Sequence, residues 1–393
     1  MPGYELIGAE ELKEINDIFS SGGGVLFRHG FDSLRNNCFK VKDFENNFAK
    51  KLNSSHALAV SSGTAALRVA LASLGIGPGD EVITQSFTFV ATVEAIIESG
   101  ATPVIADIDE TLNLSAKSLE KLITKKTKAV ICVHMLGVPS DLNNIIKVCN
   151  QRNIRIIEDV AWGCGGNIYG KKLGTFGDVG CFSFDYAKTI TTGEGGMLIF
   201  NTKSLYLKAS AWHDHGHENN PTVPRWEDTR TSSGFNYRMS ELQAAVGIAQ
   251  LLKIEKIIKL QRTNRDLIWN EIKDLPGIFE RKMPSGSFDT ADALVFLTNS
   301  KSTALSFRQS LFEEGIYTKI LPEAISWHYA GEWTHMKSLV ERNSKNGSLT
   351  FPESEKILSR AVSIPINLKM NDAFPRKIAR ILRNKINETT SHC

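Results

Sequence analysis

A chain of 393 residues, 42% hydrophobic and 23% charged, has the composition of a soluble globular protein with room for two domains. Its formal net charge of +3 is small and its basic residues are dispersed, which argues against a nucleic-acid partner. No apolar run approaches membrane-spanning length, so no membrane partner is expected.

In chain order, short apolar runs alternate with helix-patterned segments from about Leu52 to Phe200. HALAVSS reads as a strand, TAALRVALASLGIG as a helix ending on glycine, and DEVITQS as the next strand. FVATVEAIIESG (helix), TPVIADID (strand), SAKSLEKLIT (helix), KAVICVHML (strand), LNNIIKVCNQRN (helix) and IRIIEDV (strand) continue the alternation, and CFSFD and GMLIF close it as strands. Strands linked by helical crossovers form a mostly parallel sheet covered on both faces, an α/β fold. From Tyr237 to about Leu275 the pattern stays helical for unusually long, enough to carry the chain between domains. The remainder mixes strands (ADALVFLTN, AVSIPI) with helices (TALSFRQSLFEEG, PRKIARILRNKI), as a smaller α+β domain would. The expected division is residues 1–255 as the large domain and 256–393 as the small one, with some N-terminal residues packing on the latter.

The opening MPGYELIGAEELKEI carries acids and no basic-then-apolar block, unlike a signal peptide. The six cysteines (Cys38, Cys132, Cys149, Cys164, Cys181 and Cys393) include no CxxC pair. Reduced thiols and a cytoplasmic location are expected.

Ligands of parallel sheets bind beyond the carboxyl ends of the strands, and three segments there carry chemistry. In SSGTAAL (Ser61–Leu67) a strand meets a helix through Ser-Ser-Gly-Thr, so N–H groups and hydroxyls converge as an anion site; taken alone it is an ordinary helix cap. IRIIEDV ends on two acids, Glu158 and Asp159, which strand alternation sends to opposite sides. One of them can hold a proton on a bound heterocycle, or simply cap a turn. In SFDYAKTITTGEGG, Lys188 follows a strand and precedes Gly193, Gly195 and Gly196, which permit a tight turn or close backbone approach; alone it reads as a surface lysine. A phosphate cradle, a proton-holding acid and a reactive lysine in that order meet the needs of pyridoxal 5′-phosphate.

These segments, with SFTFVATVEAI, VHMLGVPSDL, IIEDVAWGCGG, GKKLGTFGDVGCFSFDYAKTITTGEGG, HDHGH, GFNYRMSELQAAVG and WHY, resemble the DegT/StrS-type aminotransferases over nearly the whole chain. The resemblance implies a fold type I pyridoxal-phosphate enzyme with Lys188 as the Schiff-base lysine and Asp159 as the acid on the pyridine nitrogen. It also implies that Gly63, Thr64 and Ser183 hold the phosphate and that Phe89 stacks on the ring. Asn236 would reach the phosphate of a neighbouring subunit, so a homodimer with shared active sites follows. Where the family usually has a glutamine near the phenolic oxygen this chain has Trp162, with more volume and one donor. The presence of Lys188 argues against the dehydratase branch, where histidine replaces it. His213, His215 and His217 would share one face of a strand as metal ligands do, but Gly216 and ENNP favour a polar loop; no metal is expected, and the family places an HG pair near the substrate there.

The resemblance also implies the substrates, L-glutamate as donor and a sugar carbonyl as acceptor. LFRHGFDSLRNNCFKVKDFE and ISWHYAGEWTHM look like segments of enzymes that make 8-amino-3,8-dideoxy-manno-octulosonate (8-amino-Kdo). That likeness makes the 8-oxo sugar acid the expected acceptor, with Arg28, Arg35, His215, His328 and Tyr329 as substrate residues, because an arginine fork suits a carboxylate. The alternatives are a nucleotide-linked 3- or 4-keto-hexose as acceptor, and a cofactor-binding regulator without turnover.

Overall fold

The apolar runs between residues 56 and 200 pair into one seven-stranded sheet in the computed structural model, which describes residues 2–220, 222–322, 325–344 and 348–390. The strand order is His56–Val60, Gly196–Phe200, Val179–Ser183, Arg155–Asp159, Thr127–Val133, Glu81–Gln85 and Thr102–Ala106. Only Gly196–Phe200 runs against its neighbours; the other pairings are parallel. Val60, Gln85, Val133, Asp159 and Ser183 therefore end their strands at the same edge.

Both faces of the sheet are covered, which is why its strands are apolar throughout instead of alternating. Leu58, Val60, Val82, Ile131 and Ile157 bury against the helices Gly63–Ser73, Val90–Glu98 and Lys203–Trp212. Ala57, Ala59, Ile83, Val130 and Ile156 face the helices Lys40–Leu52, Leu142–Arg152 and Glu241–Ile272 on the other side. Phe44 and Phe48 anchor that side fully buried, each contributing about 1.5–3 kcal/mol. Gly247 lets the first of them in: a Cβ there would lie 2.6 Å from the Phe44 ring.

The long helix begins at Glu241, four residues later than its sequence pattern. Ser240 caps it and forms a capping box with Gln243, which stops the helix from extending back to Tyr237. Ala244, Leu251 and Ile257 pack under the large sheet, whereas Ile268 and Ile272 join a third core with Phe296, Phe307, Ile364 and Leu382. That core sits on a three-stranded antiparallel sheet of Ile278–Glu280, Ala293–Thr298 and Ala361–Pro365. Position 255 lies inside the continuous helix. Trp333, Leu339 and Phe351 pack into the core of the large sheet, so chain on both sides of that position builds it. The N-terminus ties the two parts together: Glu5 accepts from the N–H groups of Leu368 and Lys369 at 3.1 and 3.0 Å.

Candidate functional site

At the common strand edge lies a cavity of about 350 Å³. Its first wall is the junction of His56–Val60 with the helix Gly63–Ser73. Ser62 Oγ accepts from the Ala65 N–H at 3.0 Å, and the N–H groups of Gly63 and Thr64, which have no partner within a helix, remain at the wall. Small residues are required here. A Cβ at Gly63 would lie 2.7 Å from Ser183 Cβ, and one at Gly196 would collide with the Ser62 carbonyl. The result is a seat of N–H and hydroxyl donors for an anion.

The second wall separates the paired acids. Glu158 turns away from the cavity: its carboxylate accepts from Gly174, Phe176 and Gly177 N–H at 2.8, 2.6 and 2.7 Å and meets His134 Nε2 at 3.3 Å. Because His134 Nδ1 accepts from the Ser140 N–H at 3.0 Å, its Nε2 carries the proton and donates to Glu158. Asp159 lines the cavity, accepting from Thr92 Oγ1 and the Ala161 N–H, both at 3.1 Å. Burial raises its pKa, and these two neutral donors only partly offset that. A buried carboxylate with neutral partners favours a cation placed beside it.

The third wall is the loop after Val179–Ser183. Asp185 Oδ1 accepts from the Ala187 N–H at 2.8 Å and the Asp185 carbonyl from the Lys188 N–H at 3.0 Å, a turn that projects the lysine. The Lys188 carbonyl is held by the Gly3 N–H at 3.1 Å, where a Cβ on residue 3 would lie 2.9 Å from that oxygen. Lys188 Nζ lies 3.5 Å from the centre of the Trp162 ring. Burial lowers its pKa to about 8, with Asp292, Asp185 and Asp159 pulling it upward and Lys319 downward. At pH 7 roughly a tenth of such an amine is neutral, against a negligible share of an ordinary lysine.

Of the sequence-predicted residues, the fold brings Gly63, Thr64, Phe89, Asp159, Trp162, Ser183, Lys188 and His328 to this cavity. Phe89 and Trp162 flank His328, with ring centres 5.5 and 6.2 Å from it. The others lie elsewhere. Arg28 donates to the Ala59 carbonyl at 2.9 Å and to Glu45 at 2.6 Å. Arg35 is fully buried, donating to the Gly30 carbonyl at 2.6 Å and pairing with Glu241 at 3.3 Å. Tyr329 donates to Glu355 at 2.7 Å beneath the site. The histidine run is a turn, not a strand: His213 is buried, His217 meets Asp228 at 3.1 Å, and His215 is exposed with a left-handed φ of 56°. The three imidazoles therefore share no face. Asn236 is exposed on the following segment, its Oδ1 accepting from the Arg238 N–H at 3.3 Å. Cys393 lies outside the described residues; Cys38, Cys132, Cys149, Cys164 and Cys181 are free thiols.

Sequence reasoning missed Thr92, the hydroxyl on Asp159, although it stands four residues after Thr88 in a quoted motif and bonds it at 2.8 Å. It also missed Asp292 and Lys319, which no local motif marks.

Pyridoxal 5′-phosphate fits this donor set. The seat at Gly63, Thr64 and Ser183 suits its phosphate, the buried Asp159 suits a protonated ring nitrogen, and Lys188 offers an amine of lowered basicity to its aldehyde. Comparison with known proteins agrees. The model of the DegT/DnrJ/EryC1/StrS aminotransferase family matches residues 32–383. The GDP-perosamine synthase of Vibrio cholerae is 34% identical over 389 residues, 98% of this chain and 99% of its own. The dTDP-4-dehydro-2,3,6-trideoxy-D-glucose 4-aminotransferase of Saccharopolyspora spinosa is 29% identical over 385 residues, 95% and 93% of the two chains. Among solved structures, the aminotransferase TlmJ from Streptoalloteichus hindustanus superposes with a TM-score of 0.83 at 26% identity, covering 98% of this chain and 97% of that one.

Proposed function

The chain belongs to the DegT/DnrJ/EryC1/StrS aminotransferase family, and from that premise we propose that it moves an amino group from L-glutamate to a ketone of a nucleotide-linked hexose. It is a pyridoxal-phosphate-dependent sugar aminotransferase of fold type I, which removes the regulator without turnover from consideration. The observation that carries the choice of acceptor is the match along the full chain to an enzyme named for a GDP-linked sugar. The fate of two arginines points the same way. An eight-carbon sugar acid needs a cation for its carboxylate, and Arg28 and Arg35 are committed to the protein's own carbonyls and carboxylates.

When bound, pyridoxal 5′-phosphate supplies an aldehyde that takes up amines and a protonated ring that withdraws electrons. In this reading Gly63 and Thr64 N–H groups and the Ser183 hydroxyl hold the phosphate, and Phe89 and Trp162 confine the ring. Asp159, oriented by Thr92 and the Ala161 N–H, keeps the proton on the ring nitrogen. Lys188 Nζ accepts a proton from the donor's α-carbon and returns one to the acceptor carbon, and its value near 8 suits an amine that must do both near neutral pH.

A homodimer completes the site. Asn236 is exposed and contributes nothing to the cavity of its own subunit, while Phe27, Phe31, Trp226 and Phe235 present exposed apolar surface on the same and the adjoining segment. Such a patch favours a second protein surface over water. A cytoplasmic location accords with the free thiols, and among the described residues no helix is long and apolar enough to cross a membrane.

The acceptor is tested by incubating purified protein and glutamate with nucleotide-linked 3-keto- and 4-keto-hexoses and, separately, with 8-oxo-3,8-dideoxy-manno-octulosonate. An aminated hexose nucleotide formed with an equal amount of 2-oxoglutarate is the expected outcome. Efficient amination of the eight-carbon acid alone overturns the choice of acceptor and leaves the transaminase.

A further inference from the structure

Two lysines bracket one indole. Lys188 Nζ lies 3.5 Å from the centre of the Trp162 ring and Lys319 Nζ 5.2 Å from it. Lys319 belongs to the C-terminal part of the chain, where its N–H donates to the Ser363 carbonyl at 2.9 Å beside the small sheet. Its ammonium donates to the Asp292 carboxylate and, at 3.1 Å, to the Asp292 carbonyl. Asp292 is 1% exposed, and Lys319 keeps only 11% of its side chain in contact with solvent. Thr290, two residues before Asp292, donates to the Trp162 carbonyl at 3.1 Å. One short segment thus fixes both the indole's backbone and the ion pair beside its ring.

Taking an ion pair out of water is costly, and removing one partner of a buried pair leaves the other charge uncompensated. Among the described residues, the reactive amine of Lys188 lies within reach of the field of this pair. Lys188 lies in the field of Asp292 with Lys319 from the C-terminal part, of Asp185 from its own loop and of Asp159 from the strand Arg155–Asp159; Glu194 and His328 share its cavity. The indole face attracts an ammonium, and two ammonium groups compete for the one ring. We propose that Asp292 and Lys319 form a positioning pair for the Lys188 amine, acting across Trp162 without touching the reactants. Asp292 draws the ammonium of Lys188 toward the ring, and Lys319 offsets that pull so that the amine can also let its proton go. Of the carboxylates around Lys188, Asp292 exerts the largest upward pull, with Lys319 the opposing cation.

The inference rests on Lys188 being the proton-transferring amine, and its test separates the two. In the full-length protein freed of cofactor, the rate at which Lys188 is acylated is followed against pH by mass spectrometry of its peptide, and kcat is measured against pH in the loaded enzyme. Asp292→Asn leaves Lys319 charged and shifts the Lys188 midpoint down; Lys319→Gln leaves Asp292 charged and shifts it up, each by about 0.5–1 pH unit. Lys319→Arg restores the wild-type midpoint. Midpoints that stay put, or that move in the same direction in both folded variants, overturn the proposal, because a merely structural pair has no reason to split them by sign. Should Asp292→Asn fail to fold, the contrast between Lys319→Gln and Lys319→Arg decides alone. Turnover retained in Lys188→Ala would instead overturn the role of Lys188, whatever the midpoints do.

Discussion

Asp159 and Asp214 are both buried aspartates, yet their surroundings are opposites. Asp214 receives Arg225 at 2.6 Å, Arg238, and His29 at 2.9 Å. Burial alone would raise it, but its contacts with His29 and Arg225 outweigh burial and hold it well below the usual carboxylate range. Asp159 has two neutral donors and a pKa raised by burial. The first is a charge compensated by two arginines, and it fastens the segment carrying His29 to the segment 213–238. The second has only neutral hydrogen-bond donors at the wall of a cavity, with Lys188 and His134 acting on it without a direct hydrogen bond. A buried carboxylate is therefore informative about ligands when its partners are counted, not when its burial is.

Four substitutions sharpen that contrast, from the largest effect down. Lys188→Ala should cut turnover at least about 10⁴-fold and remove the absorption band of the protein–cofactor Schiff base in the resting loaded protein, while its melting temperature stays close to wild type. Asp159→Asn should cost on the order of 10²-fold or more in kcat, because the amide keeps the size and loses the charge that holds the ring proton; unchanged kinetics would mean that the acid with neutral donors is not the working one. Asp214→Asn should act on stability instead, by about 2–4 kcal/mol in urea unfolding, since Arg225 and Arg238 lose their counter-charge and both keep some contact with solvent. The sign with pH follows from the lowered folded pKa: this contribution is complete above the ordinary aspartate pKa of about 4 and is lost as pH falls below it. Wild type should then weaken in acid more steeply than Asp214→Asn. Glu158→Gln should cost about 1–2 kcal/mol, because the amide oxygen still accepts from part of the 174–177 turn, and kcat should stay within about twofold. A large loss of turnover there would reverse the roles assigned to the adjacent acids.

Legibility in the sequence followed the range of the forces involved. The strand ends, the Ser62 cap and the lysine turn are built from neighbours in the chain, so SSGTAAL, IIEDVAWG and SFDYAK mark the cavity in the sequence itself. Alternation gives opposite sides to Glu158 and Asp159, the family resemblance selects Asp159, and the three N–H groups of the 174–177 turn show what occupies Glu158. Arg28 and Arg35 look available in a linear reading because the Ala59 carbonyl that holds Arg28 and the Glu241 that pairs with Arg35 are remote in sequence, and no spacing signals that the Gly30 carbonyl folds back on Arg35. HDHGH alternates as a strand would, yet Gly216 and ENNP already mark it as a loop in the sequence, and the left-handed His215 turns the chain there. Lys319 and Asp292 meet Trp162 only through packing of distant segments, and no spacing rule reaches that far.

The central claim is that Lys188 is the amine that engages the cofactor at this cavity. The most direct measurement is reduction of the loaded protein with borohydride, followed by digestion and mass spectrometry. A pyridoxyl phosphate mass carried by the Lys188 peptide, and absent from the Asp159→Asn protein only to the extent that cofactor is lost, is the predicted result. The same mass on Lys319 or on any other lysine, with Lys188 unmodified, would contradict the account.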